Sequence, residues 1–123
     1  MQNMNVLVVD DEQDIVKVIQ ARLESKGCKV RVAYNGKEAL NKVKEEIPDL
    51  IVLDVMMPVL SGYDVCTTLK FNALYKDIPI LLLTARNEEI DPRVSSMMGI
   101  SYMQKPFDSE VFWAKIEQIV KVS

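Results

Sequence analysis

The sequence predicts a doubly wound α/β fold, a single parallel sheet of five strands in the order 2-1-3-4-5 with a helix after every strand. Three observations predict it. Short runs of Val, Ile and Leu alternate with helical periodicity five times along 123 residues. Several of those runs are apolar at every position, the pattern of strands buried on both faces. Gly, Pro and Asn-Gly punctuate the boundaries, and no repeat, low-complexity tract or linker separates the units.

Asn5–Val9 reads as the first strand. A helix over Glu12–Lys26 follows, with Ile15, Ile19 and Leu23 on one stripe, Val18 beside them and Gly27 as its stop. Lys29–Ala33 alternates and is rich in valine, a second strand. Asn35-Gly36 is a turn signal before a helix over Lys37–Ile47, whose Ala39, Leu40, Val43 and Ile47 share a face and which Pro48 ends. Leu50–Leu53 is a third strand, wholly apolar, and a loop around Pro58 leads to a helix over Gly62–Phe71. Ile80–Leu83 is the fourth strand. Asp91 is placed to cap a fourth helix with Pro92 at its first position, a weak helix because Ser95 and Ser96 sit inside it and Gly99 ends it. Tyr102–Gln104 reads as a short fifth strand. Asp108 or Ser109 opens the last helix, with Phe112, Ile116, Ile119 and Val120 facing inward and Trp113 off that stripe, either a packing flank or an exposed contact.

Composition narrows the function. The net charge of −3, from 15 basic and 18 acidic residues, argues against nucleic acid as a direct partner, because phosphate binding needs a concentrated basic surface. No apolar run is long enough to span a bilayer, and a charged turn within ten residues of the start does not suit a signal peptide. Cys28 and Cys66 form no CxxC pair and read as inert, reduced thiols of a cytoplasmic protein. There is no histidine, which excludes a Ser-His-Asp triad, a His-based zinc site and a His phosphodonor within this chain.

The stretch "VLVVDDE" runs four apolar residues straight into three acids. In open parallel sheets, ligands sit at the carboxyl ends of the strands, near the point where strand order reverses. In the order 2-1-3-4-5 that point lies between strands one and three. Asp10 and Asp11 follow the first strand, Asp54 the third, Thr84 the fourth and Lys105 the fifth, so the fold brings all five together. Two carboxylates ~4 Å apart repel by ~4 kcal/mol at an effective dielectric near 20. Lys105 supplies one offsetting charge and a divalent cation would supply two. The donors are all hard oxygens, which favours Mg²⁺, with Mn²⁺ as the alternative, over zinc. Taken singly, each residue has a plainer reading: Asp10–Glu12 suit a helix N-terminus, Asp54 a turn, Thr84 a cap and Lys105 a solvated loop. Four such coincidences at four strand ends outweigh those readings.

The motifs "VVDDE", "DLIVLDVMMPVLSG", "LLLTA" and "YMQKPF", in this order and spacing, resemble those of bacterial two-component response-regulator receiver domains. The resemblance covers essentially the whole chain, 1–123, as one receiver domain of flavodoxin-like fold with no effector domain. It implies that Asp54 accepts a phosphoryl group from the phosphohistidine of a histidine kinase or phosphotransfer protein. It implies that Mg²⁺ is held by Asp11, Asp54 and the backbone carbonyl of Met56, with Asp10 acting through water. Lys105 would pair with one phosphoryl oxygen and Thr84 with another, and Ala85 would leave the group room. Tyr102, otherwise a half-buried strand aromatic, would be the switch residue, turning inward to remodel the face of helix four, strand five and helix five. That face would meet a downstream protein, an effector domain or a second copy. Met56 and Arg86 fall where the family tunes phosphoryl lifetime; methionine cannot orient water and an arginine would pair with the phosphoryl, so slow loss is expected. Apart from this tuning role, Met56 and Met57 read as loop packing. The segment "GISY" is one residue shorter than in many relatives, which bears on strand five and on Tyr102.

The leading expectation is a phosphorylation switch that assists its own phosphorylation without turning over an external substrate. Two alternatives belong to other classes. A degenerate receiver would only bind a protein partner and would fail to bind Mg²⁺. A haloacid-dehalogenase-type phosphatase would use an aspartate nucleophile with Mg²⁺, yet it needs a DxD element after the first strand and a cap, neither of which the sequence offers.

Overall fold

The computed structural model describes residues 3–85, 92–95 and 97–122. The elements alternate throughout: β1 (Asn5–Val9), α1 (Gln13–Ser25), β2 (Lys29–Ala33), α2 (Gly36–Glu45), β3 (Leu50–Asp54), α3 (Gly62–Lys70), β4 (Ile80–Thr84), α4 (Pro92–Ser95), β5 (Ile100–Gln104) and α5 (Ser109–Val122). The five strands are parallel and ordered β2-β1-β3-β4-β5, as the sequence predicts.

Strand periodicity divides the core in two. Leu7, Val9, Ile51, Leu53, Ile80 and Leu82 point to the side covered by α2 and α3, where they meet Ala39, Val43, Val65 and Leu69. Val6, Val8, Leu50, Val52, Leu81 and Leu83 point to the other side, against Ile19 and Leu23 of α1 and Phe112 and Ile116 of α5. β3 and β4 are buried at every position.

Local signals set the element ends. Gly27 leaves α1 with φ +89°, the left-handed conformation that stops a helix without penalty to glycine. The Asn35 side chain accepts the N–H of Glu38 at 2.9 Å and opens α2. Ser61 and Asp64 form a reciprocal capping box at the start of α3.

Several sequence expectations are corrected. α1 begins at Gln13 and buries Val16, Ile19 and Leu23; Val18 is 65% exposed because it falls on the opposite side of the turn from that stripe. α2 stops at Glu45, and Ile47 is 52% exposed outside it. Glu46 is already extended, at φ −157°, and Pro48 keeps the helix from running on through Ile47. β3 and β4 each run one residue further than their apolar runs, so Asp54 and Thr84 are last residues of strands rather than the first of loops. β5 begins at Ile100, two residues earlier than its apolar pattern suggests, because Ile80 pairs with Ile100 and the ladder runs without a break to Thr84 and Gln104. The short segment after Gly99 therefore enters the strand in register. Trp113 is a packing flank, partly buried against the α1 side, with the Lys26 ammonium 5.7 Å from its ring centroid. Asp91, Ser96 and Arg86 lie outside the described residues.

Candidate functional site

The site is built where four strands stop, β1, β3, β4 and β5. β1 ends at Val9, and Asp10 continues the ladder by donating its backbone N–H to the carbonyl of Ala33 at 3.2 Å. Its carboxylate is fully buried. One oxygen accepts the Glu12 N–H at 3.0 Å, a turn that leads into α1; the N-cap of that helix is Glu12, with no side-chain cap hydrogen bond, so the plainer capping reading does not hold for Asp10. The other oxygen accepts from the Lys105 ammonium at 2.9 Å. Lys105 also lies 3.0 Å from an oxygen of Asp54, which is itself 5% exposed. Asp11 is exposed, yet it offers an oxygen within 4.8 Å of those of Asp10 and Asp54.

The loops hold these groups in place through the backbone. Lys105 N–H donates to the carbonyl of Thr84 at 2.8 Å, tying the end of β5 to the end of β4. The Lys105-Pro106 peptide bond is cis. Thr84 is buried beside Asp54, and Ala85 is exposed at the rim. After β3, Val55 N–H donates to Leu83 O at 3.1 Å and Gly62 N–H returns to Val55 O at 2.9 Å, so the loop folds back on the strand it leaves. A Cβ on Gly62 would stand 2.3 Å from the carbonyl oxygen of Asp54, closer than any real contact. Sequence reading missed Gly62 as a supporting residue; the small residue directly after a helix cap was the available signal. Within that loop Met57 is buried, as expected of packing, but Met56 is 66% exposed at the mouth and packs nothing there.

Electrostatics follow from this crowding. Burial pushes the Asp54 carboxyl up from its ordinary 3.8 to about 6; the Lys105 hydrogen bond opposes that, and the charges of Asp10 and Asp11 add to it. For Lys105, burial works to lower its affinity for a proton, but the hydrogen bonds to Asp10 and Asp54 override it and hold the ammonium above the ordinary lysine range. Three carboxylates thus face one ammonium. A hard divalent cation fits this donor set: every side chain is an oxygen ligand and no thiol or imidazole competes among the described residues. The two thiols stand elsewhere, both free and buried, and burial pushes Cys66 up to about 11, which keeps it protonated and inert.

A cavity of about 630 Å³ opens over Asp54 and Lys105, walled by Ile15 and Val18 of α1 and by Phe107. Tyr102 is partly buried on the other side of the sheet, against the α2–α3 cluster, and pairs in register with Leu82.

These features are shared with a known family. The response regulator receiver domain model matches residues 6–117. The chain belongs to the response regulator receiver family. Its curated relatives include the alkaline phosphatase synthesis transcriptional regulatory protein PhoP of Bacillus subtilis, 45% identical over 98% of this chain and 50% of that protein. Response regulator SaeR of Staphylococcus aureus is 38% identical over 94% of this chain and 50% of that protein. The receiver therefore spans about half the length of these relatives. Among solved structures, the chemotaxis protein CheY4 of Vibrio cholerae superposes with a TM-score of 0.84 at 29% identity, covering 95% of this chain and 98% of that one. A response regulator receiver domain protein from Clostridium thermocellum gives 0.85 at 26%, covering 96% and 94%. The chain is accordingly a two-component signalling domain regulated by phosphorylation, with an acidic pocket of the kind that receivers use. No helix among the described residues is long and apolar enough to cross a membrane.

Proposed function

We propose that Asp54 is the phosphoacceptor of this receiver, and that a histidine kinase or phosphotransfer protein is the donor. The observation that carries this reading is the Lys105 ammonium between Asp10 and Asp54, 2.9 and 3.0 Å away, with Asp11 alongside. An Asp54 oxygen attacks phosphorus, the bond from phosphorus to the donor nitrogen breaks, and the donor leaves with the electron pair. Asp11, Asp54 and the carbonyl of Met56 would hold Mg²⁺, or Mn²⁺ in its place, with Asp10 acting through water, and such a cation would supply positive charge against that developing on the transferring group. Lys105 then moves from the carboxylate of Asp54 to a phosphoryl oxygen, and Thr84 donates its hydroxyl to another across the space beside Ala85. Tyr102 follows Thr84 and changes the α4–β5–α5 face presented to an output partner, an effector domain or a second copy. Residues 1–123 form one receiver, which works in the cytoplasm and turns over no external substrate.

Intact-protein mass after incubation with Mg²⁺ and acetyl phosphate tests this. Wild type gains one phosphoryl mass and Asp54→Ala gains none; equal gain in both would overturn the assignment. Met56, exposed at the mouth, brings no acid or amide to orient water, and Arg86 would pair with the phosphoryl. The phosphorylated form therefore persists for minutes or longer, and loss within seconds in Mg²⁺ alone would contradict that tuning. The protein-binding and phosphatase readings have no comparable support. The acid cluster argues against the first, and an acceptor on β3 rather than β1 argues against the second.

A further inference from the structure

The opposite edge of the sheet carries a second cluster of charge. A cavity of about 680 Å³, within the range of small-molecule sites, lies among the α3–β4 turn, the start of β5 and α5. Lys70, Lys76 and Lys115 line it, against a single acid, Asp77, among the described lining residues. Of the described residues, none forms an ion pair with any of these three lysines. For a chain of net charge −3 this is a local reversal of sign.

Lys70 is the deepest of the three. Its ammonium donates to the carbonyls of Lys76 at 2.9 Å and Ile78 at 2.7 Å. An ammonium has three donors, so one remains for the cavity. A Cβ on Gly99 would come within 3.0 Å of that ammonium, so the glycine leaves it open against the wall. Burial lowers the Lys70 proton affinity below the ordinary lysine range, while the neighbouring charge of Asp77 works the other way. Ile100, Ile119 and Pro79 form apolar wall between the cations.

We infer that this cavity binds a small organic phosphate, the phosphate between Lys70, Lys76 and Lys115 and its carbon body against Ile100 and Ile119. A phosphate is preferred to a carboxylate because it concentrates about two charges on one centre, and lysine ammoniums meet it as point charges. The site is separate from the acid cluster, which lies at the other ends of the same strands, and it does not depend on the role of Asp54.

The test is an amide NMR titration of the labelled protein with phenyl phosphate and with inorganic phosphate, in EDTA, against sodium chloride at matched ionic strength. Saturable shifts at Gly99, Ser101 and Lys115 are expected, with phenyl phosphate binding below about 1 mM and tighter than inorganic phosphate. Lys115→Glu and the exposed Lys76→Glu should each weaken binding about tenfold or more, and Asp54→Ala should leave it unchanged. Shifts centred on Lys105 and Ala85, linear shifts that chloride reproduces, or binding by both glutamate variants as tight as that of wild type would each overturn the site. Binding of a glutamate-rich peptide with none of either phosphate would also overturn it, in favour of a protein partner.

Discussion

The two edges of the sheet treat charge in opposite ways. At the carboxyl edge, Asp10 and Asp54 are buried at the ends of strands and share one ammonium. At the amino edge, the charged groups are spread over α3 and the turn after it, α5 and β2, and Lys70 is held by backbone carbonyls. Arg31 does similar work there, donating to the carbonyl of Lys42 at 2.8 Å and to that of Glu46 at the end of α2. Charge at the amino edge closes helices and turns. Charge at the carboxyl edge is crowded beyond what folding needs, which is the condition for binding a cation and then a phosphoryl group.

Four experiments test this contrast. The largest effect falls on the backbone under the site. Gly62→Ala forces a Cβ against the Asp54 carbonyl and the Val55 backbone, and should cost about 3–4 kcal/mol in urea unfolding. A loss under 1 kcal/mol would mean that the β3–α3 loop yields easily and does not hold Asp54.

Next comes the electrostatic cost of Asp54 itself. The folded carboxyl keeps its proton up to about pH 6, whereas the unfolded one releases it near 3.8. The folded state therefore binds more protons across that window, and this group's contribution to stability falls as pH rises through it. In EDTA at pH 8, Asp54→Asn should be more stable than wild type by about 2–3 kcal/mol, and the gain should vanish below about pH 4. A gain that persists at low pH would place its cause in packing rather than charge.

Cation binding acts in the reverse direction. At a Mg²⁺ concentration about tenfold above its dissociation constant, wild type should be stabilised by about 1.4 kcal/mol, and Asp11→Asn should lose most of it. Equal stabilisation of both proteins would remove Asp11 from the cation site. The smallest effect lies at the amino edge. Gly99→Ala must adopt φ +80° and meets only the flexible end of Lys70, so it should cost about 1 kcal/mol without changing Mg²⁺ affinity. A loss as large as that of Gly62→Ala would erase the difference between the edges.

Much of the fold was legible in the residues. The apolar runs ending at Val9, Leu53 and Leu83 announced a parallel sheet, because strands covered on both faces have no polar side to alternate with. The acids after Val9 and Leu53 and the threonine after Leu83 were legible for the same reason: a polar residue closing an apolar run marks the carboxyl end of a strand. Helix faces were read less well. Val18 and Ile47 are apolar, yet both are exposed: Val18 faces away from the stripe of Val16, Ile19 and Leu23, and Ile47 lies beyond the end of α2. β5 was read short because Ser101 interrupts its apolar pattern, and strand length there follows the partner strand.

The sequence by itself determined the alternation of five strands and helices and the chemistry at the strand ends, since both are written in local periodicity and in the residue types where it breaks. Only the tertiary structure decided which groups meet. Lys105 reaches Asp10 across 95 residues of chain. The burial that lifts Asp54, the backbone contact that requires Gly62 and the lysine-lined cavity at the far edge each depend on register and packing between segments distant in sequence. A local pattern carries no information about such neighbours.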